Sequence, residues 1–341
     1  MVFKTGRPPS RQGAAPDPSR RRLLQAASGA AAALALPWAG AQTAGSELSR
    51  ASLRVASYKG GWVTLLKAAG LAATPYRVEW KEFNSGVQHI EAINADALDL
   101  GSGSEIPAVF AARSPGRVRV VAVAKGDLNN QAVLAQKDAS IRTIADLKGK
   151  RVGYVRATTT HYFLQKMLAE AGLSFHDIQA ISLSPADGLS AFASGDFDAW
   201  AIYGYNGQLA RSKYGARVVK TSLGYLSGNF LTYGNAEAVA DPLRRAALAD
   251  LLQRLQKATA WGVAHPEQWA QAQSLETRVP AEALLALFRQ RSHDDRILPI
   301  EDADIASHQE VARVFAQIGV LDGPVKVAPL WDRSFDKALR G

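Results

Sequence analysis

From Leu53 to Tyr203 the chain alternates short runs of β-branched and aliphatic residues with stretches whose apolar positions recur every three or four residues. The short runs read as strands over Leu53–Ser57, Arg77–Trp80, Leu98–Gly101, Val118–Ala124, Val133–Gln136, Arg151–Val155, Ile178–Leu183 and Ala199–Tyr203. The periodic stretches predict helices over Trp62–Leu71, Val87–Asn94, Glu105–Ala112, Thr143–Lys148 and Ala186–Ala193. Another helix begins within Thr158–His161 and puts Leu164, Met167, Leu168 and Ala171 on one face. Gly149 and Gly172 stand where helix C-caps prefer glycine. Strands alternating with helices of this length imply βαβ units and a mostly parallel sheet. After Leu231 the texture turns helical, over Pro242–Trp261, Pro266–Gln273, Ala281–Arg291 and Asp302–Ile318, and most of these segments open near a Pro or Asp start signal.

One doubly wound unit, a second, and then a helical tail is the order of a two-lobed α/β clamshell. The chain is expected to cross between lobes near Lys125–Gln136 and again near Gly228–Thr232. Residues 52–130 with 232–341 then form lobe 1, and residues 131–231 form lobe 2.

The N-terminal segment lies outside this pattern. Ser19-Arg20-Arg21-Arg22-Leu23-Leu24-Gln25, the apolar Ala26 to Leu36 and the small-x-small Ala39-Gly40-Ala41 have the order of a twin-arginine signal peptide over residues 1–41. The apolar stretch is too short to anchor in a bilayer. Cleavage after Ala41 places the mature protein in the periplasm. The formal net charge is +9. Residues 1–41 hold six Lys and Arg against Asp17, so +5 of the +9 leaves with the signal and about +4 stays, ordinary for a globular chain. No basic run interleaved with aromatics survives, which argues against nucleic acid as a partner. The chain has no cysteine, so a hydrophobic core rather than disulfides must hold the fold, and a cysteine nucleophile, a lipid anchor at the cleavage point and thiolate metal sites are excluded.

Candidate chemistry sits where strands hand over to helices. Four junctions are rich in small residues: Tyr58-Lys59-Gly60-Gly61-Trp62, Asn84-Ser85-Gly86, Ser102-Gly103-Ser104-Glu105 and Ala157-Thr158-Thr159-Thr160. Each offers helix N-terminal amides and hydroxyls that suit an oxyanion. Ser85 and Thr158 are equally ordinary N-cap residues, and Gly60-Gly61 an ordinary turn. Glu105 either complements a helix dipole or meets a ligand amine, and His161 either reaches the ligand beside the threonines or packs its helix. Trp62, Tyr203 and Tyr205 are candidates for an aromatic wall or for the core. No dinucleotide fingerprint, Walker A sequence, G-x-S-x-G elbow or H-E-x-x-H pair is present, and His293-Asp294-Asp295 reads as a solvated loop rather than a metal site. No cofactor is called for.

Several segments resemble the periplasmic binding proteins for sulfonates, taurine and nitrate. Ile141 to Val152 is similar to that family's I-x-x-x-x-D-L-K-G-K-K-V, and Ala191 to Trp200 to its A-F-x-x-G-x-x-D-A-W. Glu82-Phe83-Asn84-Ser85-Gly86 and Glu105 to Ala111 are similar to its E-F-x-x-G and E-x-P-P-V-F-A segments, and Thr160 to Leu164 and Pro185-Ala186-Asp187 also match. The order and spacing hold from about Leu53 to Phe230. The resemblance implies a type II periplasmic-binding fold whose loops converge on an organosulfonate, through Lys59, Gly60, Gly61, Trp62, Ser85, Gly86, Ser104, Glu105, Thr158 and Thr159, with His161 and Tyr203 beside them. It also implies a monomeric receptor whose partners are a small organic anion and the membrane permease of an ABC importer. Ile202-Tyr203-Gly204-Tyr205 follows Trp200 where the family often continues Trp-Asp-Pro, which leaves the tail pocket open. A receptor of the same build for nitrate, a thiamine precursor or an aromatic acid is the alternative. The resemblance also reaches desulfinases and thiamine-pyrimidine synthases, but those enzymes rely on cysteine.

Overall fold

A computed structural model describes residues 47–113 and 116–340. The export signal read over residues 1–41 lies outside the described residues. The first half runs β1 (Ser52–Ser57), α1 (Trp62–Ala68), β2 (Arg77–Glu82), α2 (Gly86–Asn94), β3 (Leu100–Ser104), α3 (Glu105–Ala111), β4 (Val118–Lys125) and β5 (Ala132–Ala135). It continues through β6 (Arg151–Tyr154), α4 (Thr159–Glu170), β7 (Gln179–Ser182), α5 (Pro185–Ala193), β8 (Ala199–Ile202), α6 (Gly204–Tyr214) and β9 (Arg217–Thr221). The chain ends with β10 (Asn229–Asn235), α7 (Ala236–Ala240), α8 (Pro242–Ala264), α9 (Pro266–Thr277), α10 (Ala281–Arg289), β11 (Arg296–Leu298), α11 (Asp302–Gln317) and α12 (Asp336–Arg340).

The strands form two sheets, ordered β11-β4-β10-β3-β1-β2 and β7-β6-β8-β5-β9. Parallel pairing, as the pattern predicted, joins β1 to β2 and β3, and β6 to β7 and β8. Both sheets are nevertheless mixed. β10 runs antiparallel between β3 and β4, β11 runs antiparallel to β4, and β5 runs antiparallel to β8 and β9. β5 and β10 are the first strands after the chain changes sheets and each runs against its neighbours, whereas β11 is added later from the helical C-terminal region.

Each sheet opens with the same clamp. Asp99, just before β3, accepts from the Arg54 N–H at 2.7 Å and from the Arg54 guanidinium at 2.8 Å. Asp198, just before β8, accepts from the Arg151 N–H and guanidinium, both at 2.8 Å. These charge-assisted pairs lock the register of neighbouring parallel strands.

The first sheet buries Leu53, Val55 and Leu100 against Leu248, Leu251, Leu252 and Leu255 of α8. The second packs Val152 and Ala199 against Phe163, Leu164, Met167 and Leu168, the α4 face that the spacing predicts. The segment 143–148, expected to be helical, forms only the single 3₁₀ turn Ala145–Leu147. The Asp146 carboxylate accepts from the Arg142 and Thr143 N–H groups, both at 2.8 Å, which closes a tight local loop instead of starting a helix.

Residues 126–131 and 222–228 carry the chain between the sheets, and they are bonded to each other. The Gly126 N–H donates to the Gly228 carbonyl at 3.0 Å, and the Ser222 N–H donates to the Gln131 carbonyl at 2.8 Å. The two crossings are thus tied to each other as well as joining the sheets.

Candidate functional site

A cavity of about 250 Å³ opens between the two sheets, and six helix starts border it. Lys59, Gly60 and Gly61 precede α1, Gly86 begins α2, and Ser104 precedes α3. From the second sheet come Thr158 and Thr159 at α4, Pro185 at α5, and Tyr203 with Gly204, Tyr205 and Asn206 at α6. Tyr58, Phe83, Tyr203, Tyr205, Phe230, Pro107 and Pro185 supply its apolar surface. Lys59 is the one charged residue of this lining among the described residues, and no carboxylate lines it.

The helix starts divide by their caps. Ser85, Ser104 and Ser184 accept from the N–H groups of Gln88, Ile106 and Asp187, so α2, α3 and α5 spend their cap hydroxyls internally. α4 and α6, of 12 and 11 residues, start at Thr158 and Tyr203 without any side-chain cap bond. Their leading amides therefore face the cavity with the positive end of the helix dipole unneutralised. At α4 the turn itself consumes the neighbouring hydroxyls. Thr158 Oγ1 donates to the Val155 carbonyl at 2.7 Å, and Thr160 Oγ1 accepts from the Val155 N–H at 2.9 Å. The turn holds Ala157 at φ +59°, in the left-handed region that glycine favours. Strain at this point presents Thr159, whose hydroxyl takes no part in the turn, to the cavity.

Close backbone approach shapes the opposite wall. A Cβ on Gly86 would lie 3.0 Å from the Gly103 Cα, so the start of α2 rests against β3 with no room for a side chain. Gly60 sits at φ +65° under Thr277, and its carbonyl accepts from Gln273 Nε2 at 3.0 Å. Burial pushes the Tyr58 and Tyr203 phenols up, so both hydroxyls remain protonated donors.

Of the sequence candidates, Lys59, Gly60, Gly61, Gly86, Ser104, Thr158, Thr159 and Tyr203 border this cavity. Trp62, Ser85, Glu105 and His161 do not. Trp62 packs against the core of the first sheet, and Ser85 serves as the α2 N-cap. His161 lies two residues beyond Thr159, a rotation of about 200° around the helix, so its ring turns back onto Tyr154, Phe175 and Phe315. Desolvation lowers its pKa to about 4, which leaves it neutral.

Glu105 is buried behind the cavity. It accepts from Ser227 Oγ at 2.5 Å, Ser307 Oγ at 3.0 Å and Asn229 Nδ2 at 3.4 Å, and burial pushes its carboxyl up. It thus ties α3 and α11 to the second crossing. Glu105→Ala leaves the buried Asn229 amide and the less buried Ser227 and Ser307 hydroxyls without their acceptor, and is expected to cost about 1–3 kcal/mol of folding stability, with Gln recovering part of it. Urea titration of the two variants checks this; equal midpoints for wild type and Glu105→Ala would remove the carboxylate from the fold's support.

The pattern of small residues at strand ends did not reveal Phe83, Asn130, Gln131, Asn206, Phe230 or Gln273, which also border the cavity. Phe83 and Asn206 adjoin junctions already singled out. Gln273 arrives from α9, far away in sequence, and carries no local signal.

The family profile described as "NMT1/THI5 like" matches residues 67–269. A relative from Escherichia coli (strain K12), provisionally named an aliphatic sulfonates-binding protein, is 33% identical over 222 residues, covering 62% of this chain and 70% of its own. The alkanesulfonate-binding protein SsuA from Xanthomonas axonopodis pv. citri, solved bound to MOPS, superposes with a TM-score of 0.75 at 26% identity, over 84% of this chain and 99% of that one. The periplasmic aliphatic sulphonate binding protein SsuA from Escherichia coli superposes with a TM-score of 0.70 at 26% identity, over 83% and 92%.

Proposed function

Because the chain belongs to the NMT1/THI5-like family, we propose that it is a periplasmic solute receptor that closes two lobes on an organosulfonate and delivers it to an ABC importer. The observation that carries this reading is the electrostatic character of the cavity. It has one lysine, no carboxylate, two long helices with uncapped N-termini, and an aromatic wall. A sulfonate accepts hydrogen bonds and needs no metal, so amides, hydroxyls and Lys59 suffice to replace its water shell. A bare sulfate or nitrate would leave the aromatic half of the cavity unfilled.

Thr158, Thr159, Ser104, Gly86 and the Lys59–Gly61 loop contact the ligand in this reading, and Tyr203 with Tyr205 flanks its organic part. Residues 52–125 with 229–340, which carry the first sheet, move as one lobe against residues 132–221, which carry the second, and the closed form is what the permease recognises. The protein works as a monomer and reaches the periplasm by the twin-arginine route through residues 1–41. Relatives named as binding proteins match this role.

Titration calorimetry against alkanesulfonates, arenesulfonates, sulfate and nitrate tests the reading. Saturable one-to-one binding of an organosulfonate, with sulfate and nitrate at least tenfold weaker, is the expected outcome. Silence across the sulfonates, or chemical turnover of one of them, would overturn it.

A further inference from the structure

The first crossing between the sheets ends at Asn130-Gln131. The Gln131 main chain is pinned on both sides, its N–H donating to the Leu128 carbonyl at 3.4 Å and its carbonyl accepting from Ser222 at 2.8 Å. Its side chain is different. Gln131 is only 2% exposed, yet neither Nε2 nor Oε1 has a hydrogen-bond partner, and the adjoining Asn130 Oδ1 also lacks one. Other buried orphans among the described residues are single atoms of groups already bonded elsewhere. His89 and His308 are engaged through Nδ1 with Ser102 and Trp331, and Asp127 through Oδ1 with Asn129 and Ser292. Gln131 alone among them leaves both ends of its amide unmet, and it borders both the main cavity and a small one behind it that Ser104, Glu105, Thr159 and Phe230 share.

A buried amide with no partner is costly, and natural interiors rarely tolerate one without a reason. We propose that Gln131 is a ligand-contacting residue that sets specificity, with Nε2 donating to the bound molecule and Oε1 accepting from it. The inference rests on the organosulfonate reading and narrows it. A sulfonate only accepts, so it satisfies Nε2 and leaves Oε1 empty. The ligand must therefore carry a donor as well. That donor is uncharged, a hydroxyl or an amide N–H, because no carboxylate among the described residues lines the main cavity to pair with an ammonium, and Glu105 of the small one is already bonded to Ser227, Ser307 and Asn229. The chemical class is thus a hydroxylated or amide-bearing organosulfonate rather than an aminoalkanesulfonate.

The test uses two matched pairs, hydroxyethanesulfonate against ethanesulfonate and hydroxybenzenesulfonate against benzenesulfonate, titrated into wild type and Gln131→Met. Methionine keeps the volume and removes both polar atoms. Wild type is expected to prefer the hydroxylated member of the better-bound pair by about tenfold or more. In Gln131→Met that ratio is expected to fall to about one, through loss of the hydroxylated ligand, while the ligand-free variant melts at or above the wild-type temperature. An unchanged ratio in the variant, or a wild type that binds sulfonates without preferring the hydroxyl, overturns the inference and leaves the receptor reading intact. A variant that melts lower with its ratio intact overturns it too, and shows Gln131 satisfied by water as part of the fold. A wild type that binds no sulfonate brings down the reading and the inference together.

Discussion

Thr159→Asp is expected to abolish ligand binding while the protein stays folded. Thr159 is the first residue of α4, is only 6% exposed, and borders the cavity at a helix start whose N-cap side chain makes no cap bond. An aspartate there provides its own carboxylate to the free amides and to the helix dipole, and so takes the place of the ligand's anionic head. It also sets a fixed negative charge beside any anion that enters. Two like charges at 4 Å repel by about 4 kcal/mol at an effective dielectric of 20. Even with part of that relieved by Lys59, the dissociation constant should rise at least ~100-fold, or about 3 kcal/mol. Stability moves little, because an acid in the first turn is favoured by about 0.3–1 kcal/mol, which offsets the desolvation of a group that opens onto the cavity. Calorimetric titration of Thr159→Asp beside Thr159→Ser decides the matter. Retention of binding within about threefold in the aspartate variant would move the anionic head away from α4.

The same feature explains what a linear reading of this chain captures. Strand-to-helix junctions are local, and in an open α/β sheet they all point to the carboxyl edge, so Lys59–Gly61, Ser104 and Thr158–Thr159 were legible without coordinates. Adjacent residues were not separable that way. Whether Thr159 or His161 faces a ligand is decided by 200° of helix rotation and by what packs on the other side, here Phe175 and Phe315. Glu105 differs from its neighbour Ser104 for the same reason. β10 is not legible as a strand because Gly228 precedes it and Gly234 falls within it, and its partners β3 and β4 lie about a hundred residues earlier in the chain. No helix is expected after the strand ending at Tyr203, yet Gly204–Tyr214 forms α6, with Gly204 at φ +65° making the bend. Gln131 carries no sequence signal at all. Its meaning lies in bonds it fails to make, and only packing shows those.

A single domain-wide property should be the most visible in solution: a steep loss of stability in mild acid. His89, His161 and His308 are buried and held neutral, their pKa values lowered from 6.5 to about 4, about 4 and about 3, in each case mainly by desolvation. The surroundings offer little relief. His89 packs on Tyr58 and Phe83 with a backbone bond to Ser102, His161 faces three aromatic rings with Arg156 lowering it further, and His308 meets Trp331, with the Glu105 backbone opposing the shift only in part. Above pH 7 neither the folded nor the unfolded chain protonates these rings, so the full stability is present. As pH falls through 6.5 the unfolded chain binds protons that the folded one refuses until about pH 4, and stability drains across that window. Each ring contributes about 1.4 kcal/mol per pH unit once the unfolded form is charged, so three together approach ~4 kcal/mol per unit between pH 5.5 and 4.5. Glu105 works in the opposite sense, since its raised pKa lets the folded state take up a proton first, and it trims the net slope. Against a total stability of about 5–15 kcal/mol, such a slope is enough to bring unfolding within reach near pH 4–5. None of the three rings borders the cavity, so the affinity of the folded molecules should stay flat while the folded fraction falls. Urea titrations at pH 7.5, 6.5, 5.5 and 4.5 test this, and His89→Gln is expected to flatten the slope by about one ring's share. A stability that holds constant from pH 7 to pH 5 would mean these rings are charged or hydrated in the folded state.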